Sequence, residues 1–383
     1  MPSETSEIGS DRLHILEMAT QFGVGGITRH ILALRDSLRS KGHRITLGGT
    51  ANVWANPDNE TDFLGLPTRN VAGHGGGIVK RLASVVSSAW MLRRWLRKNR
   101  VDLIHAHESA PALVANIARL GLKIPLAITY HGSEPERIAG FGRIASKCDL
   151  VITPSHRSAD DLMNIGGVPK DRLKVIGLGV NPAPTYSRSE VSELRRKLLG
   201  DGERLIITIA RLEHQKGIDI LIDCIAAMKT AHPEYRFVVA GDGPDEVWLT
   251  ELAQEKGLQG YLTFLGRVTQ PILYLQASDI FLLTSRWEAL PFTIVEAFQA
   301  GTPAVASACS GVVELIDEAV GAVVPVGDVD ATCTALTQIL SDEPLRAKMA
   351  KAALERSDED RFKPDWVHAR FEETYQELAA HNG

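Results

Sequence analysis

Cysteine is sparse in this chain: Cys148, Cys224, Cys309 and Cys333 form no CxxC pair, and each sits in an apolar strand-like or helix-like stretch. That pattern argues against a disulfide framework and points to buried free thiols in a reducing compartment. Apolar runs stay short of the ~18 residues that a membrane-spanning helix needs, so no segment is expected to cross a bilayer. The first residues, MPSETSEIGSD, are acidic and polar where a secretory signal needs a basic start and an apolar core, so the expected location is cytoplasmic. Excess positive charge is also missing. With 42 Lys and Arg against 47 Asp and Glu, the formal net charge is -5, which argues against general nucleic-acid affinity. There is no internal repeat of short period and no low-complexity tract.

What is present is a regular alternation of strand-like and helix-like segments from end to end, the signature of parallel sheets covered by helices. A length of 383 residues suits two domains. The turn-rich stretch NPAPTYSRS, Asn181 to Ser189, reads as the linker between them. The first unit, RLHILEMA, runs into the loop TQFGVGGITRH and a helix to about Lys41. Its glycines Gly23, Gly25 and Gly26 do not spell GxGxxG, and no acidic residue closes the next strand, ITLGGTA. A dinucleotide fingerprint is therefore not satisfied, and the loop also suits a simple tight turn.

The richest stretch is TSRWEALPFTIVEAFQAGT, where Glu288 and Glu296 stand eight residues apart. The run Asp279-Ile-Phe-Leu-Leu-Thr-Ser before it reads as a short buried strand, and Pro291 suits the first turn of a following helix. One carboxylate therefore falls in a loop and the other in the helix's early turns, at a strand's carboxyl end where ligands bind in open α/β sheets. A helix N-terminus already favours anions, so a carboxylate placed there suits hydroxyl groups better than phosphate. Upstream, RLIITIARLEHQKGIDILI reads strand, loop, helix, with Arg211 and Lys216 in the loop and Gly217 at the helix start. The planar fork of Arg and the point charge of Lys suit a diphosphate, although an ordinary solvated loop carries such a pair as well. FVVAGDGP and FLGRV read as strands ending in turns, AVASACSGVVELI as strand, turn and helix, and CDLVITPSHRSADDL as strand and helix.

In this order the segments resemble the retaining glycosyltransferases of GT-B fold with a two-glutamate (EX7E) motif, a family 4-like group that includes many mannosyl- and glucosyltransferases of bacterial envelope synthesis. The resemblance covers nearly the whole chain. It implies an α/β protein of two Rossmann-like domains with parallel sheets facing across a cleft. Residues 1–183 would form the acceptor side, completed by a C-terminal crossover helix at about 362–383, and residues 184–361 the nucleotide-sugar donor side. Glu288, with Ala289, Leu290 and Pro291 of its loop, would lie at the donor sugar and Glu296 at the ribose. Arg211 and Lys216 would hold the diphosphate, Arg267 and Val268 the base, and Gly25 and Gly26 would approach the donor phosphate and the acceptor. His131, closing a strand in HGSE, resembles the family's histidine beside the donor sugar and diphosphate, and joins Glu288, Arg211 and Lys216 in the expected catalytic group. Ala210 departs from the pattern, since the family usually carries glycine there.

The implied activity is metal-independent transfer of a hexose-type sugar from a UDP- or GDP-sugar to a hydroxyl of a glycan, glycolipid or lipid-linked acceptor, with retention and no cofactor. A nucleotide-sugar epimerase and a non-catalytic nucleotide-sugar binding protein are alternatives; the first interconverts sugars without releasing nucleotide, and the second shows no turnover. His105, His107 and His131 lack cysteine partners and an HExxH helix, so no metal is assigned to them. Asp328-Val-Asp330 spells DxD but opens a helix, where capping explains it better.

From Ile78 to Arg100 an apolar stripe of Ile78, Leu82, Val85, Ala89, Leu92 and Leu96 recurs at helical spacing and is expected to pack on the sheet. Away from it lie Lys80, Arg94, Arg97 and Lys98, with Trp90 and Trp95 on the flanks and no acidic residue in the segment. Such a face suits the anionic inner surface of the plasma membrane, and it equally suits solvent.

Overall fold

The computed structural model describes residues 12–73 and 77–380; the polar start MPSETSEIGSD up to Asp11 and the last three residues of the expected crossover segment lie outside the described residues. Strands β1 (His14–Gln21), β2 (Arg44–Thr50), β3 (Phe63–Gly65), β4 (Leu103–Ala106), β5 (Leu126–Thr129), β6 (Leu150–Thr153) and β7 (Leu173–Val175) form one sheet. β8 (Arg204–Ile209), β9 (Tyr235–Ala240), β10 (Leu262–Gly266), β11 (Ile280–Leu283), β12 (Ala304–Ser307) and β13 (Gly321–Val324) form a second. Their orders are β3-β2-β1-β4-β5-β6-β7 and β10-β9-β8-β11-β12-β13, with neighbouring strands parallel. This is the expected α/β architecture of two Rossmann-like sheets.

The reason lies in composition. β4 (LIHA), β5 (LAIT), β11 (IFLL) and β12 (AVAS) are buried along their whole length, as parallel strands covered on both faces must be. Alternate residues feed opposite layers. In the first sheet Leu16, Ile104 and Ile128 enter one core and Ile15, Leu103 and Ala127 the other. In the second, Phe281 and Leu283 face one layer and Ile280 and Leu282 the opposite one.

The chain passes between the sheets twice, and the two passages lie side by side: Leu178 N–H donates to Arg361 O at 2.9 Å and Val180 N–H to Phe362 O at 2.8 Å. The helix Pro364–Ala380 then lays Val367, Phe371 and Tyr375 on the first sheet, with Lys174 pairing Glu377 at 2.9 Å.

Two expectations need correction. In the helix Ile78–Leu96 the inward stripe is Ser84, Ser88, Leu92 and Leu96, joined by Ala89. The parallel stripe of Ile78, Leu82, Val86 and Trp90 faces outward, with Ile78 78% and Leu82 61% exposed. The two stripes have the same spacing, and the one that carries serines is the one that packs. The second correction concerns AVASACSGVVELI. Its strand forms, but the expected helix shrinks to a single 3-10 turn, Val312–Glu314, because Gly311 is pressed onto the backbone of Ala289, whose oxygen an added Cβ would overlap.

Candidate active site

The carboxyl ends of both sets of strands meet across a cleft. On the second sheet, β8 ends at Ile209 and the loop Ala210–Lys216 turns into the helix Ile218–Met228 at Gly217. Gly217 has φ of 60°, and an added Cβ would lie 2.1 Å from the Thr284 oxygen at the end of β11, so only glycine fits both conformation and contact. This contact brings Lys216 to the glutamate loop. Its Nζ donates to Glu288 Oε1 at 2.5 Å, and Ser285 Oγ donates to the same oxygen at 2.7 Å. Arg286 braces the loop from behind through two bonds to Asp219 at 2.9 and 2.6 Å. Gln215 Nε2 donates to Trp287 O at 2.9 Å. The wall beside Glu288 includes Cys309, whose thiol is pushed up to about 12 by burial and by the Glu288 carboxylate, so it stays a protonated packing group. All four cysteines are free thiols.

Arg211 is placed differently. It touches Glu213 at 3.4 Å and keeps 54% of its side chain exposed, so its guanidinium has donors to spare for an anion. Ala289, Leu290 and Pro291 are buried between the Glu288 loop and the helix Phe292–Gln299. Glu296, in that helix, is buried and accepts a 2.8 Å bond from Arg29 Nη1 of the first domain's helix Gly26–Ser40. Gly26, at the start of that helix, lies against the Phe292 ring, 3.2 Å from a would-be Cβ, whereas Gly25 faces open space.

A cavity of about 190 Å³ opens beside this pair, lined in part by Arg29, Tyr186, Thr269, Gln270, Phe292 and Glu296. Its lining begins one residue beyond Val268. Arg267 is held by Asp242 at 2.8 Å, with both side chains about half exposed. Further contacts bridge the halves: Glu314 accepts the N–H groups of His156, at 3.1 Å, and Arg157, and Ser310 donates to Asp161 at 2.5 Å.

On the first sheet, β5 runs out into Tyr130, His131 and Gly132. Gly132 has φ of 90°, and an added Cβ would lie 2.8 Å from the Ala289 nitrogen, which sets His131 beside the Glu288 loop. Behind His131 is a buried network. His107 Nδ1 lies 3.3 Å from His131 Nε2, and His107 Nε2 lies 2.7 Å from Glu17 Oε2. Tyr375 donates to Glu17 Oε1 at 2.9 Å. His105 Nδ1 lies 2.6 Å from Tyr375 Oη and 3.1 Å from Glu17 Oε2. Burial pushes the His107 imidazole down to about 3, with His105 adding to the effect. Burial and the neighbouring rings hold His131 and His30 well below the usual histidine range. Burial opposes ionisation of Glu17, but His105 and His107 hold its carboxyl well below the usual carboxylate range. The buried Glu17 carboxylate thus sits among His105, Tyr375 and a neutral His107.

Among the described residues, Glu17, His105 and His107 are the group whose ligand atoms lie close enough for a metal ion. Their hydrogen bonds to one another, to Tyr375 and to Thr129 already employ those atoms. Asp328 of the DxD caps the helix Val329–Ser341 by accepting Ala331 N–H at 2.9 Å. Sequence reasoning missed Glu17, Tyr375, Arg29, Arg286 and Asp219. Only Glu17 left a signal, a lone acid in the apolar strand HILEMATQ.

Residues 24–184 match the family Glycosyltransferase Family 4, and residues 190–356 match Glycosyl transferases group 1. The chain is 29% identical over 351 residues to a glycosyltransferase of Methanocaldococcus jannaschii, covering 83% of this chain and 86% of the relative. It is 25% identical to the phosphatidyl-myo-inositol mannosyltransferase of Mycolicibacterium smegmatis, covering 87% and 85%. Among solved structures, sucrose-phosphate synthase of Thermosynechococcus elongatus superposes with a TM-score of 0.81 at 20% identity over 97% of this chain and 100% of the other. Anabaena HepE in complex with UDP-glucose superposes with a TM-score of 0.76 at 22% identity over 96% and 100%.

Proposed function

The chain belongs to the glycosyltransferases of GT-B fold, and from that premise we propose that it moves a hexose-type sugar from a UDP- or GDP-sugar to a hydroxyl acceptor with retention and without a metal. The observation that carries this reading is the convergence of Lys216, Glu288 and the His131–Gly132 backbone at one point of the cleft, with the accessible Arg211 beside it. Arg211 and Lys216 neutralise the diphosphate as it leaves. Glu288, already ion-paired to Lys216, turns its second oxygen to sugar hydroxyls. Glu296 exchanges Arg29 for the ribose, and the adjoining cavity takes the base. We place the donor domain at residues 184–361 and the acceptor domain at residues 1–183 with the terminal helix.

The acceptor attacks the face that the leaving phosphate vacates, and a phosphate oxygen takes the acceptor proton. No protein nucleophile is required. The protein contributes orientation and fixed charge. The Anabaena structure holds UDP-glucose, which supports a nucleotide-sugar donor. The names of two relatives, phosphatidyl-myo-inositol mannosyltransferase and alpha-monoglucosyldiacylglycerol synthase, support a lipid-linked acceptor.

The outward stripe of Ile78, Leu82, Val86 and Trp90, with Lys80, Arg81, Arg94, Arg97 and Lys98 exposed on the same segment, forms the contact with an anionic membrane surface. No helix of the described residues is long and apolar enough to cross a membrane, so this contact is peripheral. A thermal-shift screen against UDP-, GDP- and ADP-sugars tests the donor reading, because a ligand that binds only the native state raises its stability. Stabilisation by one nucleotide class in the parent, reduced in Arg211→Ala, is the expected outcome. Indifference to all three overturns the reading.

A further inference from the structure

Glu17 is fully buried and, among the described residues, contacts no lysine or arginine; its partners are Tyr375, His105 and His107. An ionised carboxylate only accepts hydrogen bonds, so the 2.7 Å contact requires the proton of His107 to sit on Nε2. Burial keeps His107 neutral, which leaves its Nδ1 as a lone pair. That lone pair faces His131 Nε2 at 3.3 Å, and the pairing requires His131 to place its own proton there. His131 is neutral for the same reason. Its Nδ1 is therefore bare, and no side chain or backbone group among the described residues hydrogen-bonds to it. Each link decides the next. His105 closes the far side: its Nδ1 faces Tyr375 Oη at 2.6 Å and its Nε2 lies 2.7 Å from the Thr129 hydroxyl.

We infer that Glu17, acting through His107, fixes His131 as the Nε2-protonated neutral tautomer, so that the ring offers Nδ1 as a hydrogen-bond acceptor to a hydroxyl of the donor sugar. This rests on the glycosyl-transfer reading for the identity of the ligand, and on the hydrogen-bond geometry and the burial of the two rings for the tautomer. His131 touches the sugar; Glu17 and His107 are positioning residues two and one links behind it. Such a ring receives a hydroxyl proton in a hydrogen bond and has no proton on Nδ1 to give to the leaving phosphate. It orients the sugar beside Glu288 and takes no part as an acid. The cost of burying the Glu17 charge then has a function, since a neutral side chain in its place would leave both tautomers of His107 open.

The groups that face His131 from its surroundings are His107 on the segment after β4 and His30 on the helix Gly26–Ser40, whose ring centroid is 6.0 Å away. Both are held neutral, and His105 on β4 acts on the His131 ring only in the direction that favours its neutral form.

The test is histidine nitrogen NMR on the intact, EDTA-washed protein at pH 6, with assignments from His107→Phe and His131→Gln. The expected spectrum shows His107 and His131 neutral, each with a protonated Nε2 and a bare Nδ1. A protonated Nδ1 on either ring, a charged His131, or zinc retained by the parent and lost in His107→Phe overturns the lock. On adding the sugar nucleotide that stabilises the protein, the His131 Nδ1 resonance moves upfield, while the nucleoside diphosphate alone leaves it in place. If Nδ1 ignores the full donor although the donor binds, the sugar contact fails and the wider reading stands. If no sugar nucleotide binds, the wider reading fails while the tautomer result remains decided. In His107→Phe, turnover falls about tenfold with nucleoside diphosphate affinity unchanged; unchanged turnover overturns the positioning role.

Discussion

The two halves of the cleft are built by opposite means from the same kind of strand end. In the first sheet His107 is 0% exposed, and its neighbours are imidazole rings and hydroxyls locked around the buried Glu17 carboxylate. In the second, Arg211 is 54% exposed and holds its nearest acid loosely, while Lys216 and Glu288 form a largely buried ion pair beside it. A neutral network fixed by short buried bonds preserves direction, because each bond is strong in low dielectric and costly to leave unmade. The exposed Arg211 preserves availability, because it can exchange water or a surface acid for a phosphate at small cost. The difference teaches a division of labour: one wall sets orientation, the other supplies charge.

The largest expected effect removes charge from the second wall. Arg211→Ala or Lys216→Ala is predicted to lower turnover by roughly a hundredfold or more, the usual loss for one group aimed at developing negative charge. Steady-state rates near the parent value for both would erase the contrast between the walls. A smaller effect is expected at the bridge between them. Glu296→Ala should weaken nucleoside diphosphate binding about tenfold, as expected for a lost hydrogen bond to a charged group. Arg29→Ala should leave binding no weaker, since the arginine competes for the same carboxylate. Calorimetry that finds Arg29→Ala as damaging as Glu296→Ala would make the salt bridge structural and remove the ribose role.

Acid should find the first wall before the second. Burial holds His30, His107 and His131 below the ordinary histidine value of 6.5 in the folded state, so the unfolded chain binds more protons than the folded one once pH drops below that value. Their stability contribution is complete above pH 6.5 and is lost as pH falls toward the folded values, by up to about 1.4 kcal/mol per pH unit for each ring. Glu17 adds to the loss below its unfolded value of 4.5. Urea unfolding from pH 7 to pH 5 should show this slope, reduced in His131→Gln, and a flat profile would contradict the neutral network. The smallest effect per residue lies outside the cleft, where each basic side chain at an anionic surface contributes about 1 kcal/mol. The parent should sediment with anionic vesicles and not with neutral ones, and changing Arg94 and Arg97 to Glu should abolish this. A parent that ignores anionic vesicles at low salt would leave the helix a solvated one.

Much of the frame was legible because parallel strands buried on both faces are written as short apolar runs: IFLL, LAIT and RLIITI are strands by composition alone. The Lys216 and Glu288 loops were legible as motifs but not as an ion pair, which depends on Gly217 seating against Thr284. What stayed hidden depends on partners distant in sequence. Tyr375 and Glu17 are 358 positions apart, and Arg29 and Glu296 are 267 apart. No local pattern records such pairs. Periodicity also assigned Ile78 and Leu82 to the packed stripe of the helix Ile78–Leu96, whereas the covered positions are Ser84, Ser88, Ala89, Leu92 and Leu96, because helical spacing counts apolar residues and gives no weight to small serines that fit a close approach.

The most direct test of the proposed function is release of nucleoside diphosphate from UDP-, GDP- and ADP-sugars by the purified protein with EDTA present. Release is expected from at least one sugar nucleotide, roughly a hundredfold slower in Lys216→Ala and undiminished by the chelator. No release from any of them, release abolished by EDTA and restored by Mn²⁺ or Mg²⁺, or equal release by the Lys216→Ala variant would contradict it.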